Sequence, residues 1–480
     1  MRWLEALKHL EDAGFPFDLS GGGTGDADVS GVVSDSRKVA PGCVFCCVSG
    51  ERSDGHDYAA SARASGAAAL VCERPVDTDL PYILVKSTRA VMGELAAAVY
   101  SHPASRLLMV GVTGTNGKST TTYIMRSILQ AAGIKTGLLG TIIESDGVTE
   151  RDASRTTPES CDVQAMLRAM VDNGCGACVM ETSSHGLALG RLFGSKFDIA
   201  VFTNLHPEHL DFHGDMESYF QAKRLLFTSF MKEGAVIAAN SDDPYGRRLL
   251  SELPSSSLSL SQRGFGIADA VGLALTQSGA SFKLADLAME SPLFGRFNVY
   301  NVLAAATALS GFVPDEAIAL GVRRVPQVPG RMERHSLPNG ACCLVDFAHT
   351  PEALRSVLTA ARDIAGGRLI SVFGHGGGRY KENRPALGRV AASLADMVIV
   401  TSDNPRDEDP AAIAGAIVEG IGTAPHKVIL NRKEAVFTAL DIAGPGDVVV
   451  LSGKGPEKFL LVGDKKIPYS DAETVEEWAR

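Results

Sequence analysis

Apolar residues along this chain fall into short continuous runs, separated by longer segments in which they recur at helical spacing. Leu107–Val112 reads as a buried strand. Ile124, Met125, Ile128, Leu129 and Ala132 then mark one face of a helix that Gly133 caps. The alternation continues with Lys135–Ile143 as a strand, Cys161–Asn173 as a helix, Ala177–Glu181 and Asp198–Asn204 as strands, and a helix-like run around Lys223. Further on, strands are predicted at Cys342–Asp346, Leu369–Phe373, Met397–Ser402, Lys427–Leu430 and Val448–Leu451. Helices at Pro351–Ile364, Arg384–Leu394, Pro410–Ile421 and Lys433–Ala443 fall between them. Such alternation predicts an α/β fold with parallel sheets. The opening segment differs. Its strands, Val32–Val33, Cys43–Ser49, Ala68–Cys72 and Tyr82–Val85, surround one Ala-rich helix, Tyr58–Ser65, after an amphipathic N-terminal helix in MRWLEALKHLEDAG.

At 480 residues the chain is too long for one core, and its length suggests about three domains. Pro81 and Pro103 punctuate the first boundary, and Pro329-Gly330-Arg331-Met332-Glu333 reads as a turn into a new domain. The divisions are 1–103, 104–332 and 333–480. A net charge of −10 argues against a nucleic-acid surface. No apolar run approaches the ~20 residues of a membrane span, and the N-terminal helix carries acidic residues unlike a secretory signal. The nine cysteines lack metal spacing. Cys43, Cys46, Cys47, Cys342 and Cys343 sit in strand-like runs, as reduced core thiols of a cytoplasmic protein would.

The candidate chemistry starts between the Leu107–Val112 strand and the helix after it. Gly111, Gly114, Gly117, Lys118 and Ser119 form a phosphate-binding pattern. Glycines let backbone N–H groups close on phosphate oxygens, and a helix N-terminus favours their charge. Lys118 can reach β/γ-phosphates, and the Ser119 hydroxyl can ligate Mg²⁺. The strict pattern wants glycine at 112, where Val112 stands, so GTNGKST is a variant. Glu181 ends a strand, where a carboxylate can hold Mg²⁺ or simply cap a helix. His206, His209 and His213 lie among acids and raise zinc as a rival. They lack the HExxH pairing, and no cysteine joins them. Asn298 and Asn301, three apart, share a helix face and could read an adenine edge or a phosphate. Arg331 reads equally as site or surface. Four loops at 346–353, 373–385, 401–410 and 452–459 follow strands of one sheet and predict a polar cleft. The polar stretches Ser34–Lys38 and Gly50–Asp57 read, taken alone, as solvated loops.

SDSRKVAPG, GTNGKST, TTPES, METSSHG, TNLHPEHLDFHG, the Lys223 helix, FNVYN, PGRMER, DFAHTP, DNPR and GKGPE follow one another in this order. In that order and spacing the chain resembles the Mur ligases over nearly its whole length. The resemblance implies a UDP-MurNAc-binding domain (1–103), a central P-loop ATPase-like parallel sheet (104–332) and a doubly wound, Rossmann-like amino-acid domain (333–480). It implies a cytoplasmic, monomeric ligase of peptidoglycan precursor synthesis with no nucleic-acid partner. ATP would activate a carboxylate of UDP-MurNAc-L-Ala-D-Glu as an acyl phosphate, and the amine of meso-diaminopimelate would capture it. Gly114, Thr115, Asn116, Gly117, Lys118, Ser119, Thr120, Asn298, Asn301, Arg331 and Asp346 would hold ATP, with His349 nearby. Lys118, Glu181, His209 and Lys223 would be catalytic. Ser119 and Glu181 would ligate one of two Mg²⁺ ions and His209 would help hold the second. Lys223 would be carbamylated (N6-carboxylysine), becoming an anionic ligand where an ammonium would repel metal.

By the same resemblance Ser34, Ser36, Glu51, Arg52 and Ser53 would meet the uridine end. Thr156, Thr157, Ser184 and Arg191 would hold the sugar-peptide and its phosphates, with Leu189 where glutamine is often found. Arg384, Asp403, Asn404, Pro405, Arg406, Gly453 and Glu457 would bind the amino acid. Arg406 could pair with the far carboxylate of meso-diaminopimelate and would repel the ammonium of L-lysine. Departures from the family pattern are His375 for cysteine, Gly378 for aspartate, Pro456 for histidine and Cys43 for aspartate. Addition of L-lysine or another diamino acid, a related ligase such as a folylpolyglutamate synthase, and an ATP-switched binding protein are the alternatives.

Overall fold

The strand Leu108–Thr113 is fourth in an eight-stranded sheet. In order across the sheet the strands are Ser261–Phe265, Met231–Asn240, Phe197–Phe202, Leu108–Thr113, Ala177–Glu181, Thr136–Leu139, Ile143–Ser145 and Glu150–Asp152. The first six are parallel and the last two antiparallel. Met109, Val110, Val112, Cys178, Val179, Met180, Ile199 and Ala200 are all buried, because helices cover both faces of a parallel sheet. The helix Lys118–Ala131 ends as predicted, with Gly133 at φ +79° just beyond it.

In this computed structural model the described residues are 1–21, 26–50, 53–253, 259–276 and 278–480. They form two units, Met1–Ile267 with Leu303–Gly321, and Ala268–Val302 with Val322–Arg480. No helix among the described residues is long and apolar enough to cross a membrane. All nine cysteines are free.

The first unit also carries a five-stranded sheet, ordered Asp18–Ser20, Tyr82–Leu84, Ala69–Cys72, Cys43–Cys46 and Gly31–Val33. Trp3, Leu7 and Leu10 of the N-terminal helix Trp3–Asp12 pack with Val91, Met92 and Leu95 of Thr88–Val99 against this sheet. The second of these helices lies where the apolar pattern predicted none. Ser87 caps it through Ala90 N, and its Gly93 approaches Phe193 so closely that a Cβ would stand 2.3 Å from the Phe193 carbonyl oxygen.

The run Lys135–Ile143 is not one strand. Thr136–Leu139 stops at Gly140, whose N–H donates to Ile143 O at 3.2 Å, and Ile143–Ser145 returns antiparallel. The cause is Glu181. Thr141 N donates to its Oε1 and Thr141 Oγ1 to its Oε2, both at 2.8 Å. Any Cβ on Gly140 would come within 2.6 Å of Oε1. Charged hydrogen bonds to a buried carboxylate outweigh strand propensity here.

In the second unit a three-stranded antiparallel sheet comprises Ala270–Thr276, Gly279–Leu284 and Leu287–Ser291. A six-stranded sheet has the order Glu333–Ser336, Cys342–Asp346, Val448–Ser452, Leu369–Phe373, Met397–Val400 and His426–Val428. Its last five strands are parallel, so the four predicted loops leave one edge. Helices Pro351–Ile364, Asn383–Leu394, Pro410–Ile421 and Arg432–Ile442 stand within a residue or so of the predicted spans. No counterpart was predicted from the sequence for the three-stranded sheet, the strand Glu333–Ser336, the hairpin Phe459–Val462/Lys465–Pro468 or the helix Asp471–Ala479. That helix is tied in by a fully buried ion pair, Arg432 Nη2 to Asp471 Oδ2 at 2.6 Å.

Candidate active site

The phosphate loop is built against the end of the neighbouring strand Phe197–Phe202. Gly114 is at φ +147° and Gly117 at φ +87°, conformations that glycine adopts without a Cβ penalty. A Cβ on Gly114 would lie 1.9 Å from Thr203 Oγ1. That hydroxyl donates to Asn116 O at 2.6 Å, Asn116 N to Asn204 Oδ1 at 2.9 Å, and Thr115 N to Asn204 O at 2.9 Å. Lys118 curls back on the loop, donating to Gly114 O at 3.0 Å and Thr115 O at 2.8 Å. Ser119 and Thr120 open the helix and are buried. With glycine as N-cap, no side chain caps this helix N-terminus, the setting in which a phosphate binds.

Lys223 lies on the helix Met216–Ser229, 1% exposed. It donates to Gly114 O at 2.8 Å and sits 4.7 Å from the Tyr219 ring centroid. Burial pushes its pKa well below the lysine range, Lys118 adds to the drop and Glu208 opposes it. The structure thus brings Lys118 and Lys223 onto the same carbonyl, Gly114 O. Glu181 is buried at its strand end, each oxygen accepting one Thr141 donor. His209, at φ +57°, is held neutral by burial, its pKa lowered to about 4. His206, His209 and His213 do not gather as a zinc site; among the described residues no three His, Cys, Asp or Glu are arranged to hold a metal. Instead the His185 ring meets those of His209 and His213 edge to face, at centroid distances of 4.8 and 5.5 Å.

Thr157, Ser184 and Arg191 also come together. Thr157 Oγ1 donates to Glu181 O at 3.0 Å and accepts from Ser183 N at 2.9 Å, and Arg191 Nη1 donates to Thr157 O at 3.2 Å. Thr156 Oγ1 lies 3.1 Å from Thr141 Oγ1. Ser184 is buried, and its neighbour Ser183 caps the helix Ser184–Ala188. Ser183 was not singled out from the sequence, nor was Glu159, on which Arg89, Arg155 and Arg191 converge at 2.6, 2.6 and 3.1 Å. Ser34 lies 3.8 Å from the Cys161 thiol. Ser36 opens a short 3₁₀ turn capped by Asp35, and Ser53 is exposed. Glu51 and Arg52 lie outside the described residues.

In the second unit Asn298 and Asn301 share a face of the helix Arg296–Leu309, Asn301 Nδ2 donating to Asn298 Oδ1 at 2.9 Å. A cavity of about 320 Å³ is lined by Asn298, Phe294, Val328, Arg331 and Met332, among others. Arg331 lies over the Phe347 ring at 4.7 Å. Asp346 ends its strand and accepts from Met332 N at 2.8 Å and Ala348 N at 2.7 Å. Burial raises its pKa. His349 Nδ1 lies 2.8 Å from Phe347 O.

At the strand edge of the six-stranded sheet, Asp403, Asn404 and Pro405 are buried and Arg406 is half-buried. Arg406 is in a left-handed conformation at φ +53°, and its Nη1 donates to Gly377 O. Its backbone pairs with the hairpin. Arg406 N donates to Leu461 O at 3.1 Å and Gly463 N to Arg406 O at 2.9 Å. Arg384 Nη2 meets both Glu408 oxygens at 3.0 Å, and its Nε meets His375 Nδ1 at 3.5 Å. Burial and that guanidinium lower the His375 pKa to about 4. Gly453, at φ +108°, passes Asp403 so closely that a Cβ would sit 2.6 Å from its Oδ2. Asn404 Nδ2 donates to Glu457 Oε2 at 2.9 Å. Gly378, at φ +63°, gives its N–H to Glu408, and Pro456 packs against Gly330. Lys454 and Glu408, which organise this edge, had no signal of their own in the sequence.

Three family models match in succession, the Mur ligase family catalytic domain over 28–100, the Mur ligase middle domain over 112–309, and the Mur ligase glutamate ligase domain over 330–455. A relative from Geobacter metallireducens is 41% identical over 95% of this chain and 94% of its own length. One from Gloeobacter violaceus is 43% identical over 94% of each. Both are named UDP-N-acetylmuramoyl-L-alanyl-D-glutamate--2,6-diaminopimelate ligase. A solved structure of a ligase of that name is 30% identical, with a TM-score of 0.67 over 94% of both chains. On likeness of this extent, the chain belongs to the Mur ligase family.

Proposed function

We propose that this chain joins meso-diaminopimelate to UDP-MurNAc-L-Ala-D-Glu, with ATP converted to ADP and phosphate, in cytoplasmic peptidoglycan precursor synthesis. The names of its relatives support the reaction, and the GTNGKST loop supports ATP as the activating substrate. The observation that carries the amino-acid assignment is Arg406, whose half-buried guanidinium stands on the same strand edge as Arg384 and Glu457. A guanidinium there favours a ligand with a far carboxylate and disfavours a far ammonium.

In this reading the D-glutamyl carboxylate attacks the γ-phosphate, and ADP leaves. The diaminopimelate amine then attacks the acyl phosphate, forms the amide and releases phosphate. Lys118 exchanges its two loop carbonyls for phosphate oxygens. Gly114, Thr115, Asn116, Gly117, Ser119 and Thr120 cradle the phosphates, and Asn298, Asn301, Arg331 and Asp346 hold the rest of the nucleotide. Ser34, Ser36, Ser53, Thr156, Thr157, Ser184 and Arg191 bind the UDP-sugar peptide, and Asp403, Asn404, Pro405 and Gly453 shape the amino-acid pocket. Segments 1–103, 104–332 and 333–480 act as three domains of a monomer.

Ser119, Glu181, His209 and a carbamylated Lys223 would hold two Mg²⁺ ions. The donor set fits, since it is mainly oxygen and Glu181 keeps lone pairs beyond those given to Thr141. A lysine whose ammonium is disfavoured by burial presents the neutral amine that carbon dioxide needs. When bound, Mg²⁺ neutralises charge on the transferring phosphoryl group.

The test is amino-acid-dependent phosphate release with ATP, Mg²⁺ and UDP-MurNAc-L-Ala-D-Glu, with the nucleotide product weighed. Turnover with meso-diaminopimelate and not L-lysine, and loss of that preference in Arg406→Ala, is the expected result. Turnover with L-lysine alone overturns the assignment of the amino acid. No turnover with either overturns the ligase reading.

A further inference from the structure

Lys454 is wholly buried, just past the strand Val448–Ser452. Its Nζ donates to Asn404 Oδ1 at 2.9 Å and to Glu457 Oε2, and stands 3.8 Å from Asp403 Oδ1. Asn404 Oδ1 also accepts from Leu461 N at 2.8 Å, while Asn404 Nδ2 donates to Glu457 Oε2 at 2.9 Å. Two donors on Oδ1 fix the orientation of the amide. Two donors on Glu457 Oε2 direct any further cation to Oε1. One lysine between two carboxylates leaves this corner with one excess negative charge. Arg406, close enough for Asp403 and Glu457 to raise its pKa against the lowering by burial, supplies a separate positive one. A negative and a positive group side by side complement an ammonium and a carboxylate on one carbon. The far end of meso-diaminopimelate has both; the far end of L-lysine has only the ammonium.

We infer that Lys454 is a positioning residue for amino-acid selection, holding Asn404 and Glu457 in place and setting the charge of their corner so that a far-end zwitterion is preferred to a far-end ammonium. The inference rests on the proposed ligase reading. Lys454 itself touches no substrate. Its ammonium acts through Asn404 and Glu457, and without it the corner would carry two uncompensated charges that attract a bare ammonium.

Lys454→Met and Lys454→Arg are compared with the wild type in the phosphate-release assay, using meso-diaminopimelate and L-lysine. In Lys454→Met the KM for meso-diaminopimelate rises about tenfold or more, the scale of one lost charged hydrogen bond. Its KM for ATP stays within about twofold, and the ratio of kcat/KM moves toward L-lysine. Lys454→Arg, which keeps the charge, recovers much of the selectivity. A folded Lys454→Met with unchanged selectivity and unchanged KM for meso-diaminopimelate overturns the inference and leaves the ligase intact. A wild type inactive with either amino acid overturns the ligase reading instead. Should Lys454→Met fail to fold, crystals of the wild type with meso-diaminopimelate decide. Substrate nitrogen on Glu457 Oε1, with Oε2 still on Lys454, supports the inference, and Lys454 displaced from Glu457 overturns it.

Discussion

Replacing Gly114 by alanine tests how the phosphate loop is held. The new methyl group would stand 1.9 Å from Thr203 Oγ1 and 3.1 Å from Asn204 O, on a backbone at φ +147°. Holding an L-residue at a φ that glycine alone favours costs about 1–2 kcal/mol, and overpacking adds about 1–3 kcal/mol. Gly114→Ala should therefore lose about 3 kcal/mol. Thr203→Ala removes the obstructing hydroxyl and its 2.6 Å bond to Asn116 O, a loss of about 1 kcal/mol. The double variant keeps the backbone strain but not the collision. It should lose about 2–3 kcal/mol, where independent effects would sum to about 4 kcal/mol. Urea unfolding of the four proteins gives the cycle. The KM for ATP should rise in Gly114→Ala and recover in part in the double variant, because the loop N–H groups must keep their directions to meet phosphate. Additive losses, or a Gly114→Ala that unfolds and binds ATP like the wild type, would refute the packing argument.

Three further outcomes are expected. Lys223→Ala should lower phosphate release by about a hundredfold, the size of effect seen when one preorganised charge-stabilising group is lost. Wild-type activity alone should respond to bicarbonate, and intact-protein mass at neutral pH checks the carbamate. Asp471→Asn leaves the fully buried Arg432 without its counter-charge and should cost about 3–5 kcal/mol in urea unfolding. A loss under about 1 kcal/mol would contradict that role. His375 has a folded-state pKa of about 4, below the ordinary 6.5, so the unfolded chain binds more protons between these values. Its contribution is fully present above about pH 6.5 and is lost as pH falls toward 4. Urea midpoints should drop across that window, and His375→Gln should flatten the slope.

Much of the architecture was legible because it obeys local periodicity. Pro351–Ile364 and Pro410–Ile421 carry an apolar stripe, and Leu369–Phe373 is apolar apart from Ser371 and buried throughout because both its faces are covered. Thr88–Val99 escaped because its alanines suit any period. The turn at Gly140 escaped because it is imposed by Glu181, forty residues away. The hairpin Phe459–Pro468 escaped because its one apolar run, Phe459–Val462, is only four residues long and the returning strand Lys465–Pro468 is exposed throughout. The same division holds in the site. Gly114, Gly117, Lys118 and Ser119 are readable together because their chemistry lies within one turn. Lys454 and Glu159 draw their meaning from partners far along the chain, Asn404 at fifty residues and Arg89 at seventy.

The Asp403–Arg406 turn and the hairpin that begins at Phe459 hold each other through main-chain bonds at Arg406 N and Arg406 O, with Leu461 N on the Asn404 side chain as a third tie. Main-chain bonds survive most side-chain replacements, so this joint tolerates drift in the residues around it. It does not tolerate separation. A chimera that imports the turn from a lysine-adding relative without the matching hairpin receives the letters of a new selectivity without the frame that spells them. Transplanting 401–410 together with 452–468 moves both, which under the proposed amino-acid assignment makes this discontinuous pair, rather than either segment, the unit in which selectivity is inherited.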